Sequence, residues 1–383
     1  MPAPATILDT VLLKVASRCN LNCGYCYVYN MGDEAWRFQP KRMSASTAAA
    51  VAEQLGEIYL AQGQPMSVVL HGGEPLLLGQ ARMAELLAIL RAKLPHPCGI
   101  HVQTNGVLLT DALIDLFVAY DVGISVSIDG PAHVHDRFRN DHVGKGSHAR
   151  VIAGIRRLQA RSDAKPLFAG VLAVIDPQSD PAEVYESLKS TGAPSLDVLV
   201  RDGNWDVLPF GKATPASIEY GRWLSRLLEI YLADPAPPRL RLFDDMLRLL
   251  LGGRSQKEGV GTTDYGILVI EPDGRIDKND TLKVAHANAD RFDVDLNVHT
   301  VRIADILASQ DYDAYYRQQR PTASACLSCS NLAVCGGGMV AHRWSEDRSY
   351  NNPSIFCADQ MHLISRMREL LEAADSFPLK EVA

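Results

Sequence analysis

Three cysteines fall within eight residues, at Cys19, Cys23 and Cys26, spaced C-x3-C-x2-C. A structural zinc ion takes four ligands, and so does an ordinary iron–sulfur cluster. Three thiolates on a cubane 4Fe–4S cluster leave one iron without a protein ligand. That iron can chelate a small molecule through amine and carboxylate groups, and the molecule can then receive an electron. If it is a sulfonium, a C–S bond breaks homolytically and a carbon radical results. A second set, Cys326, Cys329, Cys335 and Cys357, supplies four thiolates, and its spacing alone suits zinc or iron–sulfur. Cys98, between Pro97 and Gly99, stands apart as a bystander.

The elements that must position these residues read as alternating strands and helices. "TVLLKVA" (10–16), "SVVLHGG", "GIHVQTNG", "VGISVSIDG", "LFAGVLAVID" and "LDVLV" are strand candidates, each followed by a stretch of helical spacing. Six such units with right-handed crossovers suit an α/β fold, a partial (β/α)6 barrel open on one side. Function in that architecture sits at the C-terminal ends of the strands. The first cysteine cluster, "HGGEP" (71–75), "QTNG" (103–106) and "SIDGP" (127–131) all fall there. Pro-rich "ADPAPPRLR" marks a change of organisation. The expected division is a barrel over 1–235, a connecting helix and linker over 236–262, and a second α+β domain over 263–383. That second domain opens with a hairpin around Pro272, Asp273 and Gly274.

With 383 residues, 47% apolar, 22% charged and a net charge of −7, the chain has a globular composition and no basic footprint for nucleic acid or membrane. The N-terminal segment lacks a signal-peptide pattern, and no run approaches a membrane span, so a cytoplasmic location is expected. In that compartment clustered cysteines read as metal ligands.

Together, C-x3-C-x2-C, GGEP, TNG and SxDGP in this order resemble the radical S-adenosylmethionine (SAM) enzymes. A zinc knuckle would account for the cysteines and leave GGEP unexplained. The resemblance implies that Cys19, Cys23 and Cys26 hold a SAM-binding 4Fe–4S cluster flanked by Tyr25. It implies that Gly72, Gly73 and Glu74 receive the methionine amino group. By the same resemblance Ser127 meets the ribose or carboxylate, Asn105 lies nearby, and Arg139 is a candidate for the carboxylate.

The C-terminal cysteines resemble the SPASM extension of peptide-modifying members, which holds auxiliary 4Fe–4S clusters. Two of that pattern's ligand positions carry Asn279 and Met339 here, and no Cys precedes the hairpin. One auxiliary cluster is therefore expected, held by Cys326, Cys329, Cys335 and Cys357. Asp280, beside the vacant position, is the expected catalytic base.

"VLHGGEPLL", "VCGGGMVAHRW" and "NNPSIFCAD" further resemble the FxsB-type maturases of ribosomal peptides, which join an aromatic ring carbon to a β-carbon (a cyclophane). The implied partners are a precursor peptide and a low-potential electron donor such as flavodoxin or ferredoxin. A sulfatase-type maturase making formylglycine and a non-catalytic electron carrier are the alternatives. No separate leader-binding domain is expected ahead of the first strand, which begins near Thr10.

Overall fold

The computed structural model describes residues 6–375. Six parallel strands, β1 (Thr10–Ala16), β2 (Ser67–Gly72), β3 (Gly99–Thr104), β4 (Val122–Ser127), β5 (Phe168–Val174) and β6 (Ser195–Leu199), stand in chain order. Helices Ala45–Gln62, Gln80–Lys93, Asp111–Ala119, His148–Gln159, Pro181–Ser190 and Glu219–Ala233 connect them or follow the last strand. In β2 and β3 exposure alternates residue by residue, so Val68, Leu70, Ile100 and Val102 enter the core. The six β/α units therefore stand where the hydrophobic pattern places them. Ser44 shows the local logic: its side chain accepts from Thr47 N and caps the first long helix.

The sheet does not stop at the expected domain boundaries. Its order is β7-β6-β5-β4-β3-β2-β1-β8-β9. The short β7 (Arg239–Leu240), inside the expected linker, pairs with β6, and helix Arg241–Leu250 follows it directly. The first hairpin strand, β8 (Ile267–Ile270), pairs in parallel with β1, and β9 (Ile276–Asp277) closes the hairpin. The C-terminal helix starts at Cys357, so its first residue is a ligand candidate.

Register does functional work at the top of β1. Lys14 is paired with His71 of β2 on one side, and the next register step on the other side reaches Glu271. A lysine in an apolar strand is thus delivered to a buried carboxylate.

Candidate active site

β2 ends where it must pass very close to β1 and the cysteine loop. A Cβ on Gly72 would lie 2.1 Å from Ala16 O, and φ there is +133°; a Cβ on Gly73 would lie 2.0 Å from the Tyr29 hydroxyl. Both positions require glycine for this approach alone. The chain then turns at Glu74, whose carboxylate accepts from Leu76 N (3.0 Å), Thr104 Oγ1 (2.6 Å) and Asn105 N (2.8 Å). Glu74 reaches the wall of the site, but both its oxygens are engaged in joining the ends of β2 and β3. The Glu74 side chain thus braces the turn, while the residue itself lines the cavity.

Cys19, Cys23, Cys26, Gly72, Gly73, Glu74, Asn105, Ser127 and Arg139 line one cavity of about 340 Å³, a size suited to a cofactor-scale ligand. Asn105 Nδ2 stands 3.8 Å from Cys19 Sγ and 2.8 Å from Asn20 Oδ1. Ser127 Oγ accepts from Gln103 Nε2 at 2.8 Å. Tyr25 donates to Asp129 and accepts from Arg139 Nη1 at 2.7 Å, so the loop tyrosine and the arginine hold each other. Arg139 Nε is buried without a hydrogen-bond partner among the described residues. An orphaned guanidinium N–H on the wall of such a cavity fits a carboxylate ligand. Burial and the neighbouring Glu74 push the Cys19 thiol up to about 12, and burial pushes Cys26 to about 11. As bare thiols these groups stay protonated, so a cluster that binds their thiolates must displace protons.

The second cysteine set converges from three short elements: a turn at Ser324–Leu327, another at Leu332–Cys335, and the start of helix Cys357–Asp375. Burial, with the charges of Cys357 and Cys326, pushes Cys335 up to about 12. Among the described residues, no three cysteine sulfurs lie within 4.8 Å of one another in either set. Tetrahedral zinc with bonds of about 2.3 Å needs sulfurs about 3.8 Å apart.

Asn279 and Met339, the two positions where the resemblance leads one to expect cysteines, are packed against neighbours. Asn279 Nδ2 donates to Glu258 Oε1 at 2.7 Å, and a Cβ on Gly259 would meet Met339 Sδ at 2.6 Å.

Asp280 departs from expectation. It is 1% exposed and does not line the cavity; its neighbours Thr281, Tyr27 and His71 do. Its carboxylate stands 3.1 Å from Lys14 Nζ, which also donates to Glu271 at 2.9 Å. Burial alone would raise Asp280; Lys14, then His71, outweigh it and hold the carboxyl below its usual range. Burial and then Asp280 keep the Tyr27 phenol well above its usual value. Asp280 is thus an ionised group one residue behind the wall. Cys98 is fully buried in the core, consistent with a bystander.

The far wall of the cavity was not read from sequence. Asp202, just beyond β6, and Met339 and His342 of the second domain close it. No spacing rule links positions 140 residues apart, so only the fold could join Asp202 to His342. Lys14 did carry a signal, a charge inside an apolar strand.

Residues 13–188 match the family described as the radical SAM superfamily. The chain is 21% identical over 374 residues to a cysteine-type anaerobic sulfatase-maturating enzyme of Clostridium novyi, covering 91% of this chain and 92% of that one. Its fold is similar to that of native anSMEcpe with bound AdoMet and Cp18Cys peptide, with TM-score 0.81, 19% identity, and coverage of 96% and 98%. It is also similar to Streptococcus suis SuiB bound to precursor peptide SuiA, with TM-score 0.60, 15% identity, and coverage of 88% and 72%. The cofactors of this family, SAM and 4Fe–4S clusters, fit the two cysteine sets described above. No helix among the described residues is long and apolar enough to cross a membrane.

Proposed function

We propose that this chain, whose residues 13–188 match the radical SAM superfamily, is a maturase of a ribosomal precursor peptide that forms an aromatic-ring-to-β-carbon cross-link. The observation carrying this reading is the single cavity that joins the three cysteines to a wall built by both domains. A cofactor held among Cys19–Cys26 and Arg139 leaves the Asp202, Thr281, Met339 and His342 side for a peptide.

When bound, the cluster and SAM supply a 5′-deoxyadenosyl radical that takes one hydrogen atom from a side chain. Cys19, Cys23 and Cys26 would hold that cluster. Gly72 and Gly73 let the backbone come close, Arg139 Nε offers its free donor to a carboxylate, and Ser127 and Asn105 complete the lining. Cys326, Cys329, Cys335 and Cys357 would hold one auxiliary cluster, and the filled positions at Asn279 and Met339 support two clusters in all. Joining two C–H carbons also releases a proton and an electron. Asp280 is ionised, as an acceptor must be, but reaches the cavity only past Tyr27, His71 or Thr281. Reduction would come from a low-potential donor such as flavodoxin or ferredoxin. The overall likeness to anSMEcpe keeps formylglycine formation as the second reading.

The test is anaerobic co-expression with the small open reading frame encoded beside this chain. A peptide lighter by two hydrogens, with the new bond located between a ring carbon and a β-carbon, is the expected result. An aldehyde at a Cys or Ser position would establish the second reading. Reconstituted protein should carry about eight irons, and a count near twelve would defeat the two-cluster assignment.

A further inference from the structure

One pair of titratable groups lining the cavity, Asp202 and His342, has the arrangement of an acid–base device. His342 Nε2 lies 3.2 Å from Asp202 Oδ1. With the carboxylate as acceptor Nε2 is the donor of this contact, and in the neutral ring Nδ1 then presents its lone pair. Nδ1 has no hydrogen-bond partner among the described residues, and His342 is 4% exposed. The ring is fixed from behind by an edge contact with Phe356, centroids 5.0 Å apart. Both residues line the cavity that contains Cys19, Cys23 and Cys26. They come from segments 140 residues apart, Asp202 from just beyond β6 and His342 from the cysteine-rich region.

The segment packed against 341–343 is Asp280–Val284, which carries Asp280 and Lys283. Asp202 is in contact. The Lys212–Asp359 ion pair lies beyond Phe356, with Lys212 Nζ 5.8 Å from that ring. Arg343, next in sequence, turns away to the carbonyls of Gly336, Gly337 and Gly338.

We infer that His342, oriented by Asp202, is the group that takes the proton from the peptide after hydrogen-atom abstraction. The inference rests on the peptide-maturase reading and names the acceptor within it. After the β-carbon radical has bonded to the ring carbon, that carbon's C–H bond breaks. The proton goes to Nδ1, and the C–H electron pair stays in the ring. One electron then leaves to a one-electron oxidant of the iron–sulfur class, and aromaticity returns. Asp202 is a positioning residue: it sets the tautomer and favours the imidazolium that forms. Asp280, locked to Lys14 behind the wall, holds charge balance and does not touch the peptide.

The experiment uses the reconstituted holoenzyme, SAM and the peptide identified by co-expression. H342Q should keep its full iron content and still form 5′-deoxyadenosine, while cross-linked peptide falls by roughly 10²–10⁴-fold. Added imidazole should restore part of the product in His342→Ala. Asp202→Asn should lower cross-linked product while iron content and 5′-deoxyadenosine formation hold. Apart from turnover, diethyl pyrocarbonate should modify His342 in the holoenzyme, and the peptide should protect it. Failure of the parent to convert any peptide defeats the maturase reading. A His342 that resists modification in the free enzyme defeats the inference whatever the activity. So does an unchanged cross-linking rate in H342Q, or a rate abolished in Asp280→Asn but not in H342Q.

Discussion

Glu258 shows how one vacated ligand position changes the physics of a residue. Its half-buried carboxyl accepts from Asn279, where the resemblance leads one to expect a cysteine. Desolvation pushes it up to about 7, against the opposing pull of Asn279 and Lys257, with Asp280 adding to the rise. Asp277 moves the same way, to about 6, through burial that its partner Arg275 only partly offsets. A carboxyl raised in the folded state keeps a proton that the unfolded chain has already lost. Between about pH 4.5 and 7 the folded form therefore binds more protons, and stability falls as pH rises through that window. Glu258→Gln keeps an acceptor for Asn279 and removes the titration. Its urea midpoint should decline less steeply than the parent's between pH 5 and 7. Equal slopes would show that Glu258 titrates normally in the folded chain.

Among the elements, the loop after Cys335 is the one most exposed to a single change. Gly336, Gly337 and Gly338 all have positive φ, at +64°, +83° and +67°. A Cβ on Gly336 would lie 1.8 Å from Gly261 O, so this run cannot carry side chains. Arg343, 1% exposed, ties the loop down by donating to the carbonyls of Gly336, Gly337, Gly338, Gln318 and Gln319. Arg343→Leu strands those carbonyls inside the protein, which costs on the order of 1–3 kcal/mol for each buried group left unpaired. Cys335 should then lose its place, and iron should drop from about eight per chain to about four. SAM cleavage at the other cluster should survive. Full iron retention in Arg343→Leu would show that the cysteines hold the loop without it. Such elements were partly legible beforehand. Cysteine spacing, GGEP and the strand ends announce themselves because local chain geometry dictates them. The Arg343 carbonyl cage, the Lys14–Glu271 pair and the Asp202–His342 contact depend on register between distant segments, which residue type alone does not encode.

At the scale of the whole molecule, the second domain is an extension of the first. All four residues of β8 are buried, and their strand is bonded to β1, the first strand of the barrel. Below that seam lies a buried set of charges drawn from both parts. Lys14 meets Glu271 and Asp280, while Lys283 meets Asp33 at 2.6 Å and Asp290 at 2.7 Å. Buried pairs like these are weak evidence of stability as a whole, yet removing one partner costs about 3–5 kcal/mol because a charge is left alone in the interior. Separating the two parts would strand Lys14 on one side and Glu271 and Asp280 on the other, and would bare Ile267 to Ile270. Neither part then has a low-energy folded state of its own. The intact chain should unfold by urea in one transition, with coincident near-ultraviolet and far-ultraviolet signals. Residues 263–383 expressed alone should show no cooperative melt. Lys14→Met should lower the single midpoint without splitting it, because it unpairs two carboxylates that belong to the hairpin. Two separated transitions in the parent, or a folded C-terminal fragment, would mean that β8 and the charge seam join two independent domains and not one folding unit.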